Sequence, residues 1–104
     1  MKNVYVVCWG SAGQDDDGNS KAFSGVFGAY VSKEAAERAL EDCKVEMYNE
    51  VVNDYAFENC DEAYIKENIK VYGSIEEGYF EIDYNVCDFV YEIHINLVET
   101  TLRT

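Results

Sequence analysis

Proline is missing altogether, histidine occurs once, and bases are scarce: 8 lysines and arginines stand against 21 acids in 104 residues. Without proline there is no rigid polyproline linker, and no low-complexity tract divides the chain. The formal charge of −13 argues against direct binding to nucleic acid, whose affinity rests on Lys and Arg neutralising phosphates. It argues equally against an anionic membrane surface. No stretch approaches the roughly 20 apolar residues that span a bilayer, and Val4–Trp9 is too short an apolar run for a signal peptide. The cysteines (Cys8, Cys43, Cys60, Cys87) include no Cys-x-x-Cys pair, so they read as separate reduced thiols, mostly buried. Together these absences point to a soluble, cytoplasmic protein.

What is present is a globular composition. Apolar residues make up 48%, with nine Tyr, five Phe and one Trp, too many aromatics for a disordered acidic chain. The length fits a single domain, 1–104. Val4–Trp9 reads as a first strand, Gly10–Lys21 as a Gly-, Ser- and Asp-rich surface loop, and Ala22–Val31 as a second strand forming a hairpin with the first. Gly25 and Gly28 mark a bulge or a close packing contact in it. Ser32 is a good N-cap, and Ala36, Leu40, Cys43, Met47, Val51 and Tyr55 then recur at intervals of three and four, predicting a helix of about five turns. Asp61 caps a second, shorter helix carrying Ala63, Tyr64, Ile65 and Ile69. Tyr79–Tyr84 and Asp88–Val98 alternate apolar and polar residues and make a second hairpin. The expected fold is α+β in the order ββααββ, a four-stranded antiparallel sheet with two helices packed on one face.

Within the predicted long helix the acids fall in register. Asp42, Glu46, Glu50, Asp54, Glu58 and Glu62 stand four apart, which on a helix places them along nearly one face, a rise of about 6 Å between neighbours. Like charges at that spacing repel by roughly 0.2–0.5 kcal/mol per pair. Past Asn53 the helical pattern fades, so the column is founded on its first three positions. A second acidic region follows, because no Lys or Arg occurs between Val71 and Leu102 while seven acids do. A solvated face would account for the column; so would a surface that meets a strongly positive partner.

No catalytic motif competes with this charge. Asp15-Asp16-Asp17 invites a calcium reading, but the sixth residue from Asp15 is Ser20 and the twelfth Val26, where an EF-hand loop needs Gly and Glu. Gly10-Ser-Ala-Gly13 lacks the lysine and the following helix of a phosphate-binding loop. A lone His94 without an orienting group defines no nucleophile, and unclustered cysteines make a poor zinc site. No catalytic residue, metal or cofactor is expected.

The segments V-Y-V-V-C-W, F-S-G-V-F-G-A-Y and S-K-E-A-A-E-R-A-L, about 40 residues in all, resemble small bacteriophage and mobile-element proteins. Among those, chains of this size and acidity resemble anti-CRISPR and anti-restriction inhibitors, many of which mimic DNA. The resemblance implies a non-enzymatic inhibitor, acting in the cytoplasm of a host cell, that binds the cationic nucleic-acid-binding surface of a nuclease, a CRISPR effector first of all, and blocks DNA access. The charge pattern nominates Asp42, Glu46, Glu50 and Asp54 as partner contacts, with Glu76, Glu77, Asp15, Asp16 and Asp17 in reserve. The alternative is a small structural or adaptor protein that self-associates through its sheet as a homodimer, with charge serving solubility.

Overall fold

In the computed structural model, which describes residues 2–102, five strands form one antiparallel sheet: β1 (Lys2–Gln14), β2 (Ser20–Tyr30), β3 (Ile69–Ser74), β4 (Tyr79–Val86) and β5 (Phe89–Leu102). Their spatial order is β2-β1-β5-β4-β3. The chain travels from one edge strand, β2, to the other, β3, through α1 (Lys33–Val52), a 3-10 turn (Tyr55–Phe57) and α2 (Glu62–Glu67). Leu40, Cys43 and Val51 of α1 and Ile65 of α2 join Val7, Phe80, Ile82, Ile93 and Ile95 of the sheet in one buried cluster. Both helices therefore lie on the same face. The alternate residues of β4 and β5, among them Glu81, Asp83, Glu92 and His94, are turned to a face that no helix covers among the described residues.

The four-stranded ββααββ expectation is thus corrected to five strands and one long helix, with α2 only 6 residues. The missed strand is β3. Its Lys70, Val71 and Tyr72 are exposed, so alternation is blurred, and its only ladder is to β4. Gly73, which reads as a turn residue, is a strand position with φ +99, and a side chain there would run into the Tyr79 carbonyl. Ile69, expected at the end of the second helix, is the first residue of this strand.

The first hairpin is also longer than its sequence shows. Gly10–Gln14 and Ser20–Lys21 are strand, leaving a turn of only Asp15–Asn19. Small, polar residues have weak strand preference, but β1 is paired on both sides, with Ser11 opposite Phe23 and Ile93 and Gly13 opposite Lys21 and Tyr91. Two ladders override one residue's propensity. Gly13 is required there, because a Cβ would come 2.7 Å from the Cα of Tyr91. The register of β1 against β2 slips between Val7 and Cys8, the bulge that the glycines foreshadow.

α1 follows its sequence closely. The Ser32 hydroxyl accepts from the Ala35 N–H at 3.3 Å, satisfying an N-terminal donor. Ala36, Ala39, Leu40, Cys43 and Val51 are buried. Complete burial of Leu40 contributes roughly 2 kcal/mol. The helix stops at Val52, and Asn53 at the C-cap returns its side-chain amide to the Asn49 carbonyl at 2.9 Å. Tyr55 is consequently outside the helix and 81% exposed, and not part of the buried stripe.

Candidate functional site

The end of α1 sets the site. From Val45 to Ile65 there is no base, while Glu46, Glu50, Asp54, Glu58, Asp61 and Glu62 are acidic. Asp42, Glu46 and Glu50 share one exposed flank of α1, around a shallow depression completed by Val45, Asn49 and Asn53. The remaining column residues leave that line. Asp54 caps the 3-10 turn, its carboxylate accepting from the Ala56 N–H at 2.9 Å. Glu58 ends that turn, and Glu62 begins α2, where it pairs with Lys66 at 3.2 Å.

Inside this flank lies a groove of about 730 Å³ between the C-terminal half of α1 and the long hairpin. Trp9, Phe23, Phe27, Met47, Phe57 and Phe89 give it apolar walls, and Glu46, Glu50 and Asp54 line it from the helix side. Lys21 is its one base, and that ammonium is already 3.4 Å from the Asp15 carboxylate. Trp9 is seated by the absence of a side chain: a Cβ on Gly25, its partner across the ladder, would meet the indole at 2.9 Å. Phe57 closes the far end, edge-on to Phe89 with ring centres 5.4 Å apart. Such a groove suits a chain that is apolar along its length and cationic at its margin, since the low-dielectric wall strengthens charge pairing at the rim.

The other nominated acids are scattered. Glu76 and Glu77 are exposed in the β3–β4 turn and do not line the groove. Asp16 and Asp17 are exposed at the tip of the first hairpin. Asp15 is different: it is only 9% exposed, and one oxygen accepts from the N–H groups of Asp17 and Asn19 at 3.0 and 2.9 Å. The Asn19 N–H is the chief reason its carboxyl sits below the ordinary carboxylate range. Asp15 organises the turn, its carboxylate engaged by those two donors and by Lys21.

A second set of titratable groups occupies the uncovered face. The Tyr79 hydroxyl donates to Glu81 and faces the His94 Nδ1 at 2.6 Å. The other imidazole nitrogen lies 3.3 Å from Glu92. Burial, then the carboxylate of Glu81, push the Tyr79 hydroxyl up to about 12. Burial, then Glu81, raise Asp83 to about 6, and its Oδ1 is enclosed without a hydrogen-bond partner. Glu81, Glu92 and His94 are a donor set a metal ion can use, with atoms within 4.8 Å of one another. Yet both nitrogens of His94 already face partners, so the set is satisfied by its own members. No cysteine joins it: Cys8 points its thiol to the Asn96 carbonyl at 3.8 Å, and Cys87 lies beside Cys60. A Cys-His dyad is not formed. This network was illegible in sequence because it depends on the β4–β5 register that sets Glu81 opposite His94.

No protein-family model matches the chain, and no curated protein or solved structure is significantly similar to it. No helix among the described residues is long and apolar enough to cross a membrane.

Proposed function

We propose that this protein is a non-enzymatic acidic inhibitor that docks α1 and the adjoining groove on the cationic nucleic-acid-binding surface of a nuclease and blocks access of DNA. The observation that carries this reading is the pairing of exposed, unbridged carboxylates at Asp42, Glu46 and Glu50 with an aromatic groove that shares two of them. Carboxylates about 6 Å apart on a rigid helix make a sparser version of the phosphate array of DNA, one charge per roughly 3.4 Å of strand. An Arg that grips phosphate accepts a carboxylate bidentately in the same manner. Long-range charge would speed encounter, and burial of apolar side chains against Trp9 and Phe23 would hold the complex. The resemblance to anti-CRISPR proteins makes a CRISPR effector nuclease the first partner to test.

The experiment is DNA cleavage by a panel of such effectors with the wild-type protein and with Glu46→Lys/Glu50→Lys. The reading expects inhibition of at least one effector by the wild type, weakened by salt and lost in the double variant. Equal inhibition by both proteins would remove the site, and no inhibition across the panel would remove the function.

A second reading has its own support. Edge strand β2 exposes Phe23 (59%) and Val26 (69%), and no acid occurs from Gly18 to Lys33. In so acidic a chain this is the region where two copies would meet with least repulsion, pairing edge to edge. Sedimentation at several concentrations separates a β2-paired dimer from a monomer, and Val26→Lys should abolish the dimer.

A further inference from the structure

Cysteines 27 residues apart in sequence meet in the fold. The Sγ atoms of Cys60 and Cys87 are 2.7 Å apart, less than one ångström beyond the roughly 2.05 Å of an S–S bond. Cys60 follows the 3-10 turn and precedes the cap of α2, while Cys87 opens the two-residue β4–β5 turn. Cys87 and Asp88 have φ of +50 and +69, values that favour Asn and Gly in such a hairpin. A cysteine held there stands against its backbone preference, with its sulfur aimed at the only thiol in reach. The other two are differently placed: Cys43 is fully buried in α1, and Cys8 is engaged with the Asn96 carbonyl.

We propose that Cys60 and Cys87 are a closely apposed dithiol that closes to a reversible intramolecular disulfide by exchange with a small-molecule disulfide. Cys87 is exposed and Cys60 only partly so, so the Cys87 thiolate attacks first. It forms a mixed disulfide and releases one small thiolate. The Cys60 thiolate then attacks the Cys87 sulfur, joins the two residues and expels the second small thiolate. Two protons pass from the protein thiols to the released thiolates, and two electrons reduce the small disulfide. The Cys60 thiol beside it raises Cys87 above its ordinary pKa, so exchange runs best in mildly alkaline buffer. Asp61 and Asp88 adjoin the two cysteines, which favours a cationic disulfide over an anionic one. The bond ties the α1–α2 connection to the β4–β5 turn, across the seat of Phe57 between Tyr84 and Phe89. The proposal is independent of any partner.

The test treats the reduced protein with cystamine or with oxidised glutathione, quenches with acid, alkylates free thiols and maps the peptides. The expected product is one internal Cys60–Cys87 disulfide with Cys8 and Cys43 alkylated. Cystamine should act roughly tenfold faster than oxidised glutathione, with the gap narrowing at high salt. Cys60→Ser should stop at the mixed disulfide on Cys87 while keeping its circular dichroism. Closing this loop should raise the melting temperature by on the order of 10 °C, a shift absent from Cys60→Ser. Mixed disulfide persisting on wild-type Cys87, pairing with Cys8 or Cys43, or thiols left unreacted would each overturn the proposal.

Discussion

The outer flank of α1 and the uncovered face of β4 and β5 are both acidic, yet their carboxylates live in opposite circumstances. On α1, Asp42, Glu46 and Glu50 are exposed and make no ion pair among the described residues, although Lys44 lies between them in sequence. That lysine turns inward, bonding Glu41 at 2.6 Å and resting 4.7 Å above the centre of the Phe80 ring. On the sheet, Glu81 and Glu92 meet Tyr79 and His94, and Asp83 is partly sunk beside Glu81. The count of acids does not distinguish these surfaces; their partners do. One region leaves its carboxylates exposed and unpaired among the described residues, whereas the other engages them in internal contacts.

The largest effect that tests this contrast is on binding. Glu46→Lys/Glu50→Lys should weaken the complex by about 100-fold or more, because two attractions become repulsions at the interface. Thermal melting should change little, and the fluorescence of Trp9, the single tryptophan in the groove, titrated with oligo-arginine offers a direct reading. The paired set Glu81→Gln/Glu92→Gln should leave that titration nearly unchanged. If both double variants weaken binding equally, the contrast between the surfaces fails.

Stability should respond in reverse. His94→Ala removes the imidazole beside the part-buried Tyr79 hydroxyl and should cost about 1 kcal/mol in urea unfolding, with no loss of oligo-arginine binding. Asp83→Asn should have a smaller effect of opposite sign. Burial and Glu81 raise the folded Asp83 to about 6 from 3.8, so the folded state holds the extra proton within that window. Stability contributed by this group is therefore present at low pH and falls as pH rises through the window. The Asn variant should be more stable than wild type by about 1 kcal/mol near pH 7.5, with the gain vanishing towards pH 4. The smallest effect is expected from Asp16→Asn/Asp17→Asn, about 0.5 kcal/mol or less in urea unfolding, since both are exposed turn residues. Asp15→Asn should cost more than that pair, as its carboxylate holds two backbone donors and Lys21.

The legible part of this fold is the part with strong local periodicity. Leu40, Cys43, Met47 and Val51 announce α1, Ser32 and Asp61 announce their caps, and Phe89 to Leu97 announce the central strand. Of the nominated contacts, Asp42, Glu46 and Glu50 do share an exposed flank, Asp54 caps the turn beyond it, and Glu76 and Glu77 stand elsewhere. The groove beside the acids had no sequence signal, because its walls come from β1, β2, α1, the 3-10 turn, β4 and β5. Nothing in spacing alone joins Trp9 to Met47 or to Phe89.

By itself the sequence determined the charge, the long amphipathic helix and the register of its acids, since each follows from composition or a period of a few residues. Tertiary structure decided that Gly10–Gln14 is strand, that Ile69–Ser74 completes the sheet, and that Cys60 meets Cys87. Those outcomes rest on ladders and contacts between distant segments, whose energy exceeds the weak preferences of Gly, Ser and Lys and leaves no local pattern to read.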